Sequence, residues 1–114
     1  MLGVDVVDVA RLERALARPG LAQRLVTPAE LARAQGRARP AEHLAGVLAA
    51  KEAAMKALGL RSLPAWARRI EVSRGREGAP LVSVAGRRAP VVLSVSHDGG
   101  VALAAALRLA RPPA

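Results

Sequence analysis

The chain has 114 residues, 52% of them hydrophobic, no cysteine and a formal net charge of +9. That length gives one domain with a modest core, and the absence of cysteine excludes a disulfide framework or a thiolate zinc site. No apolar run approaches the roughly 20 residues a membrane helix needs and the chain opens into a strand rather than a signal peptide, so a cytoplasmic protein with a polyanionic partner is expected.

The first nine residues read as a strand. Leu2, Val4 and Val6 point to one face, and Gly3, Asp5 and Val7 to the other. Asp5 thus lies among apolar neighbours on a strand expected to be central, where a carboxylate needs a cation, several N–H donors or a metal. A salt bridge or turn cap is the structural reading of it. Asp8 sits where an N-cap belongs, before the stripe Val9, Leu12 and Leu16. The opposite side of that helix carries Arg11, Arg14 and Arg18, which fit either a solvated face or a docking surface for an acidic helix.

After Pro19 and Gly20 the next start signal is Thr27, Pro28 and Glu30: an N-cap, a proline at the first position and a glutamate closing a capping box. Gly36 stops this helix, and Arg37 to Pro40 forms a basic connector. Pro40 opens a long helix that runs to Gly59 at its C′ position. Leu44, Val47, Leu48, Met55 and Leu58 make its apolar stripe. Lys51 falls near the middle of that stripe and Glu52 at its edge. Lys51 can snorkel to water from the rim, and Glu52 and Lys56 are spaced for a weak surface pair.

Beyond Gly59 the pattern changes to sheet. Residues 60–67, with Trp66 as the only aromatic, read as a loop or single turn. Ile70 to Ser73 and Leu81 to Val84 read as strands joined by a turn-rich loop. Val91 to His97 pairs with Val101 to Leu109 through Asp98, Gly99 and Gly100. Both faces of the last strand are apolar, so helices should cover one and a neighbouring subunit the other. With one aromatic, the core must be built from small side chains, which also leaves surface for an oligomer to bury. Residues 1–110 form the expected domain and 111–114 a frayed tail. The fold class is α+β: an N-terminal strand, three helices and C-terminal antiparallel strands.

Three short motifs occur in order along this chain: Gly3-Val-Asp5, Ala49-Ala-Lys-Glu-Ala53 and Ser94-Val-Ser-His97. Together they resemble the holo-acyl-carrier-protein synthases, the small-subunit class of phosphopantetheinyl transferases, from Gly3 to about Leu107. The turn Gly78-Ala-Pro80 also resembles the family's. The resemblance implies a 4′-phosphopantetheinyl transferase-like fold and transfer of 4′-phosphopantetheine from coenzyme A to a serine of apo-acyl carrier protein, releasing adenosine 3′,5′-bisphosphate. It implies Asp5 and Glu52 as ligands of Mg²⁺, with Glu52, Lys56 and His97 catalytic. Lys51, Lys56, Ser94, Ser96 and His97 would contact coenzyme A, while Arg11 and Arg14, extended by Arg18, would dock the carrier protein. It also implies a homotrimer with active sites between subunits. A carboxylate, His97 or metal-bound water could deprotonate the attacking serine.

One position departs from the family. Relatives commonly carry arginine where this chain has Val47, so Arg87, Arg88, Arg37 or Arg39 would have to replace that cation. A small basic nucleic-acid-binding domain is the other reading of the charge, weakened by the lack of stacking aromatics and of any reading motif. A non-catalytic assembly module would explain the apolar strands and leave Asp5, Lys51 and His97 without a purpose.

Overall fold

In a computed structural model, which describes residues 1–113, the longest helix is the axis of the molecule. This helix, α4 (Pro40–Leu58), has 12 of its 19 residues buried. It is therefore apolar nearly all round instead of carrying one stripe, as befits a helix enclosed between two layers. Pro40 stands in its first turn, and Gly59 closes it with a left-handed φ of 73°.

One layer is an antiparallel sheet of β1 (Leu2–Asp8), β5 (Val91–Asp98) and β6 (Val101–Arg108), in the order β1-β6-β5. β1 was expected to be central; it is an edge, and β6 takes the centre. The paired residues form rows across the sheet. Gly3, Ala106 and Leu93 make one row, followed by Asp5, Ala104 and Val95, then Val7, Ala102 and His97. These rows face α4, and the three alanines of β6 are fully buried beneath it. Gly3 makes the close approach possible, since a Cβ there would lie 2.1 Å from the Ala53 carbonyl oxygen. Gly99 and Gly100 form the β5–β6 turn with φ of 58° and 81°, the positive values a two-residue hairpin turn demands.

The opposite face of this sheet is open. Its rows are Leu2, Leu107 and Val92; Val4, Ala105 and Ser94; and Val6, Leu103 and Ser96. Leu2, Val4, Val6, Val92, Leu103 and Leu107 are each between 45% and 63% exposed.

The other layer contains α3 (Pro28–Gln35) and a second antiparallel sheet, β2 (Ile70–Arg74), β3 (Pro80–Val84) and β4 (Arg87–Arg88), in chain order. The capping box forms as expected: Thr27 Oγ1 accepts from the Glu30 N–H at 3.2 Å, and Glu30 Oε1 accepts from the Thr27 N–H at 2.8 Å. α1 (Val9–Leu16) is capped by Asp8, whose Oδ1 accepts from the Arg11 N–H at 2.9 Å.

Three helices were expected and five form. The additional ones are α2 (Leu21–Leu25) and α5 (Leu63–Trp66), each only one turn or slightly more and thus too short to show a helical period. α5 is the single turn that was one of the two readings of residues 60–67. Trp66 is half-buried, with the Arg69 guanidinium 5.5 Å from its ring centre. Of the tail expected over 111–114, Pro113 accepts a hydrogen bond from Arg88 at 3.4 Å, while Ala114 lies outside the described residues.

Candidate active site

β1 and α4 bring Asp5, Glu52 and Lys56 together. The alternation of β1 turns Asp5 toward α4, where Gly3 lets the helix backbone come close. Lys56 Nζ lies 3.1 Å from Asp5 Oδ1 and donates to the Val4 carbonyl at 2.8 Å. Lys56 thus pairs with Asp5, not with Glu52 as its helical spacing suggested. Two of the three ammonium donors are used, which leaves one for a ligand. The other oxygen of Asp5, Oδ2, is buried without a hydrogen-bond partner.

Glu52 is half-buried beside this carboxylate. Its carboxyl group is pushed up to about 7, first by burial and then by the neighbouring Asp5 carboxylate, while Lys56 opposes the rise. Two carboxylates set side by side with burial are short of a cation. No cluster of three or more His, Cys, Asp or Glu side chains exists among the described residues. A hard cation that takes one or two carboxylates and completes its shell with water and phosphate oxygens matches this donor set, and the orphaned Oδ2 is the atom it would satisfy.

Lys51 does not join this group. It was expected to contact phosphate, yet it is fully buried and its Nζ is 2.6 Å from Glu30 Oε1, which is also fully buried. The same ammonium donates to the carbonyls of Leu25, at 3.2 Å, and Ala67. With three donors matched by three acceptors it has none to offer a ligand. Burial pulls its pKa below the ordinary value, against the hydrogen bond and charge of Glu30.

His97 is also separate from the carboxylates. Its Nδ1 lies 2.8 Å from Glu42 Oε1. Glu42 and Glu52 are ten residues apart on α4, on the order of 15 Å along the helix axis. His97 lines a cleft of about 360 Å³ between the start of α4, α3 and the β2–β3 hairpin. Ser94 and Ser96 were expected beside it, but strand alternation turns them to the open apolar face, in rows with Ala105 and Leu103.

Arg33, Arg37, Arg39 and Arg74 line the cleft, together with His43 and Val47. Val47 stands at the position where the family resemblance led an arginine to be expected. Of the four replacements expected, Arg37 and Arg39 are present, while Arg87 and Arg88 lie on β4 and do not line the cleft. Arg33 and Arg74 were not foreseen, because they reach the cleft from α3 and β2. His43 is held below its ordinary pKa by burial first and then by Arg37, Arg33 and Arg74, and its Nε2 is buried without a partner. The arginine charges that add to burial in lowering the His43 pKa also make the field an anion entering the cleft would meet.

Arg11, Arg14 and Arg18 are exposed on or just beyond α1 and make no ion pair among the described residues.

Residues 1–107 match the sequence model of the 4′-phosphopantetheinyl transferase superfamily, and the chain belongs to that superfamily. Within it, the chain is 46% identical over 113 residues to the holo-[acyl-carrier-protein] synthase of Clavibacter michiganensis subsp. michiganensis, a match covering 90% of this chain and 89% of the relative. Among solved structures it is similar to the holo-[acyl-carrier-protein] synthase of Helicobacter pylori in complex with coenzyme A, at a TM-score of 0.76 and 27% identity, covering 95% of this chain and 99% of that one. An ACPS–CoA complex from Chronobacterium ammoniagenes has the same TM-score of 0.76 at 32% identity, covering 96% and 97%. The α+β fold and the family resemblance read from the sequence are borne out by these matches. No helix among the described residues is long and apolar enough to cross a membrane.

Proposed function

We propose that this protein transfers 4′-phosphopantetheine from coenzyme A to a serine hydroxyl of apo-acyl carrier protein, releasing adenosine 3′,5′-bisphosphate. Besides family membership, the observation that carries this reading is the arrangement of Asp5, Glu52 and Lys56. Two facing carboxylates, one with an orphaned buried oxygen, lie beside an ammonium that has a donor to spare. Mg²⁺ held by Asp5 and Glu52 would gather phosphate oxygens and offset the charge of the departing bisphosphate.

The chain's own groups divide the remaining work. Lys56 would give its free donor to a phosphate oxygen at the reacting centre. The arginine-lined cleft suits the nucleotide end of the coenzyme, with Arg33, Arg37 and Arg74 as replacements for the cation missing at Val47. His97 is positioned at that cleft through Glu42, on the order of 15 Å along α4 from Glu52 of the same subunit, so it would reach the pyrophosphate only at a site shared between subunits. Arg11 and Arg14 form an exposed, unpaired cationic surface suited to an acidic carrier helix, with Arg18 as an extension. Lys51, Ser94 and Ser96 have no contact with coenzyme A in this scheme within one subunit.

The open apolar face of the β1-β6-β5 sheet supports assembly, and the family resemblance makes a homotrimer the assembly we infer, with active sites between subunits. A cytoplasmic location is part of the same proposal.

The direct test is mass spectrometry of apo-acyl carrier protein incubated with this protein, coenzyme A and Mg²⁺, with an EDTA control and a Glu52→Gln variant. The expected result is a mass gain of one phosphopantetheine arm that disappears in both controls. No gain with several carriers would reject the reaction, and an undiminished gain in EDTA would reject the metal.

A further inference from the structure

The Lys51–Glu30 ion pair lies outside the reacting group yet sits one residue from Glu52. Its connections reach most of the layer behind α4. Lys51 Nζ binds Glu30 Oε1 at 2.6 Å, the last carbonyl of α2 at Leu25, and the Ala67 carbonyl just after α5. Glu30 also accepts from the Thr27 N–H at 2.8 Å and, through Oε2, from the Val72 N–H of β2 at 2.6 Å. Thr27 Oγ1 in turn donates to Glu71 Oε1 at 2.7 Å. Every donor of the ammonium and both oxygens of the carboxylate are engaged, so the pair can hold only one arrangement.

The surface of α4 gives that restriction its importance. Gly46, Ala45, Ala49, Ala50, Ala53, Ala54 and Ala57 are all buried on it. Such small side chains make shallow ridges, which resist sliding or rolling of a helix less than interlocked Leu or Ile would. A shift of one residue along α4 is about 1.5 Å and 100° of rotation, enough to carry Glu52 away from Asp5. The two carboxylates are held from opposite sides: Asp5 by β1, Glu52 by whatever fixes the height and roll of α4.

We propose that the Lys51–Glu30 pair is a positioning device that pins α4 in register and thereby sets the approach of Glu52 to Asp5. It acts through Glu52 and touches no substrate. Its functional meaning rests on reading Asp5 and Glu52 as the metal-holding carboxylates. In some proteins a buried polar pair specifies register at a cost in stability, and replacing both partners with uncharged groups of similar volume leaves the fold intact.

The test uses the full chain with two changes: Lys51→Met combined with Glu30→Gln, which removes both charges, and Glu30→Asp, which keeps the charges and shortens the arm by one methylene. Mn²⁺ serves as the probe, its binding read by electron paramagnetic resonance, alongside thermal unfolding and a crystal structure of each variant. The expected result is a cooperative fold in which Mn²⁺ binds about 10–100-fold more weakly and Glu52 is displaced from Asp5. In the transfer assay kcat should fall, with KM for coenzyme A less affected. Mn²⁺ affinity equal to that of the parent in a folded variant overturns the proposal. So does failure of both variants to fold, which would make the pair a requirement of folding and not of register. If the parent itself binds no Mn²⁺, it is the metal reading that fails. The crystal structures then decide the positioning role, with a displaced Glu52 supporting it and an unmoved one overturning it.

Discussion

Glu52 keeps its proton to about pH 7 in the fold, against an ordinary value of 4.5. Between those values the unfolded chain has released a proton that the folded chain retains. Stability therefore falls as pH rises through that window, the reverse of a carboxylate held by a cation. With EDTA present, Tm should decline from pH 4.5 to pH 8, and Glu52→Gln should flatten the decline; an equally steep profile in the variant would remove Glu52 as its source. The two lysines of α4 show how neighbouring positions in one motif acquire different tasks. Lys56 lies over β1 and half-exposed, while Lys51 is enclosed and fully matched. The oddness of a cation amid an apolar stripe was legible in the sequence. Its partner was not, because the capping box already accounted for Glu30 and nothing in the spacing of residues 30 and 51 marks them as neighbours.

At the level of elements, the close contact of β1 with α4 depends on one missing methyl group. A Cβ at position 3 would meet the Ala53 carbonyl oxygen at 2.1 Å and the Ala57 nitrogen at 2.9 Å. Both are backbone atoms, so no side chain can turn aside and the helix as a whole must give way. Gly3→Ala should cost about 1–3 kcal/mol, read as a lower urea midpoint at unchanged slope, and should weaken transfer more than its stability loss explains. A variant with the parent's midpoint would show that α4 has room to move. The strands and the long helix were readable because periods of two and 3.6 persist over several residues there, with Pro40, Gly59 and the Gly99–Gly100 turn punctuating them. α2 and α5 are too short to show a period. The order of strands was hidden as well, since the pairing of β1 with β6 joins residues about a hundred positions apart. For the same reason Arg33 and Arg74 could not be assigned to the cleft of Arg37 and Arg39.

For the whole molecule, the open face of the first sheet is the main unfinished surface. Six large apolar residues are substantially exposed in three adjoining rows, a patch of a kind that marks association. Leu103, on the central strand, is the place to test it. Leu103→Arg should lower the solution mass to that of a monomer while leaving far-UV circular dichroism unchanged, since the side chain points away from α4. A parent that is already monomeric by sedimentation would remove the assembly from the scheme. The alternation of β6 was enough to foresee two apolar faces, one under the helix and one that the single chain leaves open.

The burial of Lys51 also leaves the protein's surface with an unusual chemical address. The sequence contains only two lysines among its 18 cationic side chains, and one of them is sealed in the interior. Apart from the amino terminus, Lys56 is thus the sole primary amine within reach of solvent. An acylating reagent or an amine-reactive fluorophore would thus label the native protein at two places only, the amino terminus and Lys56 beside the carboxylate pair, without any engineered attachment point.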